Sequence, residues 1–296
     1  MLKFSGSYVA IATPFNKDFS VDYGRLKELV EFHYESGTTG IVPCGTTGES
    51  ATLTHEEHKK VVETVVETSG GRLSVLAGSG SNSTDEALDL TIHTRESGAD
   101  GCLVITPYYN KPTQEGMYRH FSFLADKVGH PMVVYNVPGR TGVNLAAGTL
   151  ARLSEHPAIV GVKEASGDLA QISQIIKRTA EDFAVFSGDD ALTLPILALG
   201  GIGVISVAAN IIPADLAELV SSYLAGDSAR ARQLQAEMID LFQVMFIETN
   251  PVPVKEAMNL MGMNVGPVRL PLCELTDSNR DALAGTLVDY GLKLVS

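Results

Sequence analysis

Apolar residues along this chain fall into eight short runs, separated by longer stretches with helical spacing. The runs occupy 8–12, 40–44, 73–77, 101–105, 132–136, 159–163, 184–187 and 203–207. Each is near-continuously apolar and rich in Val or Ile, the pattern of parallel strands buried on both faces. Helix starts stand between them. Thr54 followed by Glu57 reads as a capping box, and Ser83 followed by Glu86 repeats the relation. Pro213 stands in the first turn of another helix, where a missing N–H costs little. Eight strand–helix units within about 225 residues predict an α/β fold, a (β/α)₈ TIM barrel covering residues 1–226. The remainder, 227–296, reads as a C-terminal helical extension with helices at 227–249, 253–261 and 279–293. A doubly wound sheet would place a glycine fingerprint after its first strand; Thr13-Pro14-Phe15 stands there instead.

Barrel enzymes carry their chemistry at the C-terminal ends of the strands. The polar residues falling there are Gly45-Thr46-Thr47-Gly48-Glu49, Thr106-Pro107-Tyr108-Tyr109-Asn110, Tyr135-Asn136 with Pro138-Gly139-Arg140, Lys163-Glu164 and Ser187-Gly188-Asp189-Asp190. Lys163 is the most informative. By the period of two it shares a strand face with Ile159 and Gly161, and Gly161 is expected to leave space beside it. Burial disfavours the charged amine and makes it a nucleophile toward carbonyls. The plainer alternative, that Lys163 pairs with Glu164 or ends the strand, stands equally on spacing alone. Tyr135, one strand away, offers a phenol for proton transfer relayed through Thr46 or Tyr109; singly, each tyrosine also reads as an amphipathic rim residue. The 45–48 turn offers N–H groups and hydroxyls to a carboxylate, or is an ordinary tight turn. Arg140 suits bidentate carboxylate binding, or is a solvated loop arginine.

Composition narrows the partners. The 296 residues are 45% hydrophobic and 19% charged, enough for a sizeable core. With 35 acids against 22 bases the net charge is −13, which repels phosphate backbones and anionic lipids, so neither nucleic acid nor membrane is expected. Three scattered cysteines, Cys44, Cys102 and Cys273, argue against a disulfide framework or a zinc site and for a reducing cytoplasm. The opening Met1-Leu2-Lys3-Phe4-Ser5-Gly6 has no apolar signal core. His55 and His58 share a helix without an evident third ligand, so no metal is expected. Met258, Met261 and Met263 read as core filler.

Six segments in order give the chain a resemblance over essentially its whole length. They are Gly45-Thr46-Thr47-Gly48-Glu49-Ser50, Tyr108-Tyr109-Asn110-Lys111-Pro112, Tyr135 to Thr141, Gly161-Val162-Lys163-Glu164, Ser187-Gly188-Asp189-Asp190 and Asn250-Pro251-Val252-Pro253-Val254-Lys255. The chain closely resembles the 4-hydroxy-tetrahydrodipicolinate synthase (dihydrodipicolinate synthase) family, within the pyruvate-dependent class I aldolase and N-acetylneuraminate lyase superfamily. The resemblance implies a carbon–oxygen lyase that condenses pyruvate with L-aspartate 4-semialdehyde through a lysine Schiff base. That reaction is the first step of the diaminopimelate branch of lysine biosynthesis. It implies Lys163 as the imine-forming residue and Tyr135, Thr46 and Tyr109 as a proton relay, with Tyr109 reaching in from a neighbouring subunit. Thr46 and Thr47 would hold the pyruvate carboxylate, Arg140 the carboxylate of the semialdehyde, and the backbone at Gly188 and Ile205 would line the pyruvate pocket. No cofactor is implied, and the expected assembly is a homotetramer, a dimer of tight dimers. A further implication is feedback inhibition by L-lysine at a site matching Ser50, Ala51, Leu53, His55, His58, Asn82, Glu86 and Tyr108. There Glu86 and His58 would hold the amines and Asn82 the carboxylate.

Two alternatives accompany this reading. N-acetylneuraminate lyase and 2-keto-3-deoxy-sugar-acid aldolases would share Lys163 and Tyr135, so Arg140 and the Gly45-Thr46-Thr47-Gly48-Glu49 turn carry the discrimination. A non-catalytic sensor of 2-oxo acid or lysine would not need the relay.

Overall fold

The structure is a computed structural model that describes residues 4–295. Met1-Leu2-Lys3, part of the opening stretch read as lacking a signal core, lies outside the described residues. Eight parallel strands close into a barrel in sequence order. They are β1 (Gly6–Ala10), β2 (Gly40–Val42), β3 (Ser74–Gly78), β4 (Gly101–Ile105), β5 (Met132–Asn136), β6 (Ile159–Glu164), β7 (Ala184–Ser187) and β8 (Gly203–Ser206). The connecting helices are α1 (Tyr23–Glu35), α2 (His55–Ser69), α3 (Thr84–Glu96), α4 (Gln114–Val128), α5 (Pro138–Thr141), α6 (Ala147–Leu153), α7 (Leu169–Arg178), α8 (Thr193–Leu199) and α9 (Pro213–Leu224). Three more helices follow: α10 (Ser228–Val244), α11 (Val252–Leu260) and α12 (Asp277–Asp289). The TIM barrel expected from the apolar runs is the fold observed.

The strands are largely apolar because both faces are covered. One face fills the barrel interior with Tyr8, Ala10, Val42, Leu76, Leu103, Val133, Ala184, Phe186 and Ile205. Tyr8 meets Phe186 edge to face there, with ring centroids 5.3 Å apart. The other face packs under the helices: Val104, Met132, Val134 and Val162 against Met117, Phe121, Leu124 and Ile172. The C-terminal helices belong to the same apolar cluster as the first strands, through Leu234, Met238, Leu241 and Phe242 of α10, Val254 and Met258 of α11, and Leu283 and Leu287 of α12. Met258 is fully buried, and Met261 and Met263 pack against that cluster, as filler would.

Several bounds differ from the expected ones, and three of the differences bear on the site. The second strand ends at Val42, not residue 44, because Pro43 has no N–H for the ladder and Cys44 takes a left-handed φ of 54°. The eighth ends at Ser206 because the next N–H groups, of Val207 and Ala208, donate to Asp190 Oδ2 instead (each 3.0 Å). Helix α10 stops at Val244, five residues before the expected end; the chain then turns, and this places Phe246 and Asn250 in the wall of the cavity described below. The Thr54–Glu57 capping box is complete. At Ser83 only half forms: its hydroxyl accepts from Glu86 N, while the Glu86 carboxylate bonds Ser81 and His55.

Candidate active site

A small cavity of about 140 Å³ opens at the C-terminal ends of the strands. Its wall includes Thr46, Thr47, Tyr135, Arg140, Lys163 and Gly188, six residues brought together from four different strand ends. The barrel register explains the central pair. Lys163 of β6 lies directly opposite Tyr135 of β5, and both side chains face inward. The ammonium nitrogen stands 4.4 Å from the centre of the Tyr135 ring. Glu164, which by alternation points out of the barrel, accepts from Asn136 Nδ2 (3.1 Å) and Ser166 N (2.7 Å), with Gln171 beside it. The carboxylate suspected of pairing with Lys163 is therefore engaged behind the strands.

Burial dominates the electrostatics. Desolvation pulls the Lys163 amine down from 10.5 to about 8; the Asp190 carboxylate opposes this and the Arg140 guanidinium adds to it. Desolvation likewise pushes the Tyr135 phenol up to about 12, against the pull of Arg140 and of a hydrogen bond with Thr46. The site thus holds an amine that sheds its proton near neutrality beside a phenol that keeps its own. Asp190 is buried, caps Val207 N and Ala208 N through Oδ2, and has its carboxyl raised by desolvation.

Space for the lysine comes from a different glycine than expected. A Cβ on Gly161 would collide with the neighbouring strand, 2.5 Å from Ala184 O, so this glycine serves strand approach. A Cβ on Gly188 would come within 3.0 Å of Lys163 Cε, and Gly188 is the residue that leaves the side chain its room.

One expected member is absent from this wall, and Tyr109, expected to serve a neighbouring subunit, lies outside the cavity of its own chain. Tyr109 is 88% exposed on a left-handed residue (φ 71°), outside this cavity. Ile205 is fully buried in the barrel interior and is not among the lining residues; Val207, two positions on, is. Conversely, Asn250 lacked a role in the sequence. Its Nδ2 donates to Thr47 Oγ1 (3.1 Å) and its carbonyl accepts from Arg140 Nη2 (3.0 Å), so it braces both of these residues. The only signal was its place in the segment 250–255.

A second cavity, about 470 Å³, shares Thr46, Arg140 and Asn250 with the first. Ser50, Ala51, Leu53, His55, His58, Glu86 and Tyr108 line it. Asn82 does not; its carbonyl accepts from Asn110 Nδ2 (2.9 Å). Glu86 bonds His55 Nε2 at 2.6 Å and the Ser81 hydroxyl, which together hold its carboxyl below the usual range. Desolvation lowers His58 to about 4, leaving a neutral ring whose Nδ1 is buried without a partner. Among the described residues no group of three or more His, Cys, Asp or Glu is placed to hold a metal, and no helix is long and apolar enough to cross a membrane.

The model of the dihydrodipicolinate synthetase family matches residues 3–289. A 4-hydroxy-tetrahydrodipicolinate synthase of Thermodesulfovibrio yellowstonii is 53% identical over 289 residues, 98% of this chain and 99% of that protein. The crystal structure of dihydrodipicolinate synthase from Aquifex aeolicus is 50% identical, with a TM-score of 0.97 over 99% of this chain and 100% of that one. The enzyme from Cyanidioschyzon merolae, solved with lysine bound, is 42% identical, with a TM-score of 0.96 over 99% of this chain and 100% of that one.

Proposed function

Because the chain belongs to the dihydrodipicolinate synthetase family, we infer that it is a lyase condensing pyruvate with L-aspartate 4-semialdehyde, the 4-hydroxy-tetrahydrodipicolinate synthase reaction. That step opens the diaminopimelate branch of lysine biosynthesis. The observation carrying the mechanism is the buried Lys163 amine, lowered to about 8, facing the Tyr135–Thr46 pair. The free amine attacks the ketone carbon of pyruvate, and loss of water leaves an imine. Loss of a methyl proton gives the enamine, whose carbon attacks the aldehyde of the second substrate. The amino group of that substrate then attacks the imine carbon, closing the ring and releasing Lys163. Thr46 and Thr47 hold the pyruvate carboxylate, and Tyr135 with Thr46 moves protons. A coupled assay with pyruvate and the semialdehyde, run beside sialic acid cleavage, tests the assignment; turnover of sialic acid alone would refute it.

Arg140 supplies the cation for the carboxylate of the semialdehyde. Arg140→Ala is expected to raise the KM for the semialdehyde by about tenfold or more, the scale of one charge-assisted contact, with the pyruvate KM little changed. Unaltered KM and kcat for the semialdehyde would remove Arg140 from this role.

The exposure of Tyr109 supports a relay completed by a neighbouring subunit, in a homotetramer built from tight dimers. The second cavity is the natural seat for L-lysine. Glu86, neutral His58 and the Tyr108 rim suit an ammonium, and Asn82 would have to move inward to meet the carboxylate. Initial rates are expected to fall with millimolar lysine; rates indifferent to it would dismiss the site.

A further inference from the structure

We propose that Lys255 and Glu49 are a positioning pair that holds the Thr46–Thr47 turn in place for pyruvate, a role that rests on the activity inferred above. Lys255 lies on α11 and Glu49 closes the turn after β2. They are 206 residues apart, yet Nζ stands 2.7 Å from Oε1 with both side chains 1% exposed. Lys255 Nζ also donates to Thr13 O (3.0 Å) and Pro267 O (2.6 Å), so all three donors are used, and it stands 4.2 Å from the Phe15 ring centre. The second Glu49 oxygen accepts from Arg269 N at 2.9 Å.

A buried ion pair is a poor device for stability alone, since apolar residues of similar volume often replace one at no loss. Its distinct property is direction. This pair ties the segment after β1, the turn after β2 and the C-terminal segment to one point. The tied turn is the one that carries the substrate contacts. Glu49 adopts a left-handed φ of 53°, and its N–H donates to Thr46 O at 3.1 Å, so drawing its side chain inward fixes the residue that bonds Tyr135. Thr13 Oγ1 donates to Gly48 O (2.7 Å) and Asn250 Nδ2 to Thr47 Oγ1 (3.1 Å). Of these anchors only Lys255–Glu49 is ionic.

The test is the double variant Glu49→Gln with Lys255→Met, which removes both charges and keeps an acceptor for Arg269 N. Rates are normalised to the sites that borohydride traps with pyruvate. A thermal midpoint near wild type, with the pyruvate KM raised about tenfold, is expected from a sub-ångström loss of alignment, while the semialdehyde KM moves less, because Glu49 bonds Thr46 directly and Arg140 is reached only through Asn250. Wild-type pyruvate KM and trapping rate in the folded double variant would overturn the proposal, and so would a stability loss with unchanged kinetics per trapped site. If the double variant does not fold, the isosteric Glu49→Gln decides by the same split between substrates. Failure of the wild-type chain to trap pyruvate would overturn the activity itself, and the pair's role with it.

Discussion

Lys163→Ala is expected to lower turnover by about four orders of magnitude or more, the scale at which covalent catalysts lose their nucleophile. Borohydride with pyruvate should add no mass to the peptide holding residue 163. The fold should survive, because burial already disfavours the charge on this amine and Glu164 beside it is engaged with Asn136 and Ser166. The wild-type pH profile carries the same signature. With its pKa lowered to about 8, about a tenth of Lys163 is free amine at neutral pH, against a few parts in ten thousand for an ordinary lysine. The free form attacks, so the trapping rate should climb about tenfold per unit below about pH 8 and level off above it. A rate flat across that range, or a mass increase in the variant, would place the imine on another residue.

The relay gives the second large effect. Tyr135→Phe is expected to cost about 10²- to 10⁴-fold in kcat, the usual range for a general acid–base group, with trapping slowed but still directed to Lys163. Its phenol, pushed up to about 12 and bonded to Thr46, keeps its proton until the substrate oxygen needs it. Tyr109→Phe should also be slow, and here subunits can complement each other. In a dimer pairing a Tyr109→Phe chain with a Lys163→Ala chain, the intact lysine meets the intact tyrosine in one of two sites. Random exchange of the two inactive proteins should then restore about a quarter of wild-type activity. No recovery after verified subunit exchange would return Tyr109 to its own chain or to the surface.

Lys163 and Tyr135 were legible in the sequence because two local rules place them: alternation along a strand, and parallel pairing of neighbours in chain order. The turn at 45–48 was legible for the same reason, as the end of a strand. Contacts spanning the chain were not. Asn250 meets Thr47 across 203 residues, and the helix packing that unites them leaves no periodic mark. Lys255 stood in the sequence only as the end of the segment 250–255; its three acceptors come from segments that local rules treat separately. Gly161 was the glycine expected to give the lysine room, and only the approach of the strands shows that Gly188 does so. Glu86 obeyed the spacing of a capping box, yet its carboxylate found stronger partners in Ser81 and His55.

Thr46, Arg140 and Asn250 face both cavities, so the two chambers have a common wall. An occupant that shifts this wall from one side alters binding on the other, and the free-energy change is equal in both directions. If lysine is that occupant and weakens the grip on pyruvate, it must itself be gripped less firmly when pyruvate is abundant, visible as a lysine affinity that moves with pyruvate concentration. A chain built this way would respond to the balance between end product and feedstock, throttling hard when precursors are scarce and yielding when they accumulate.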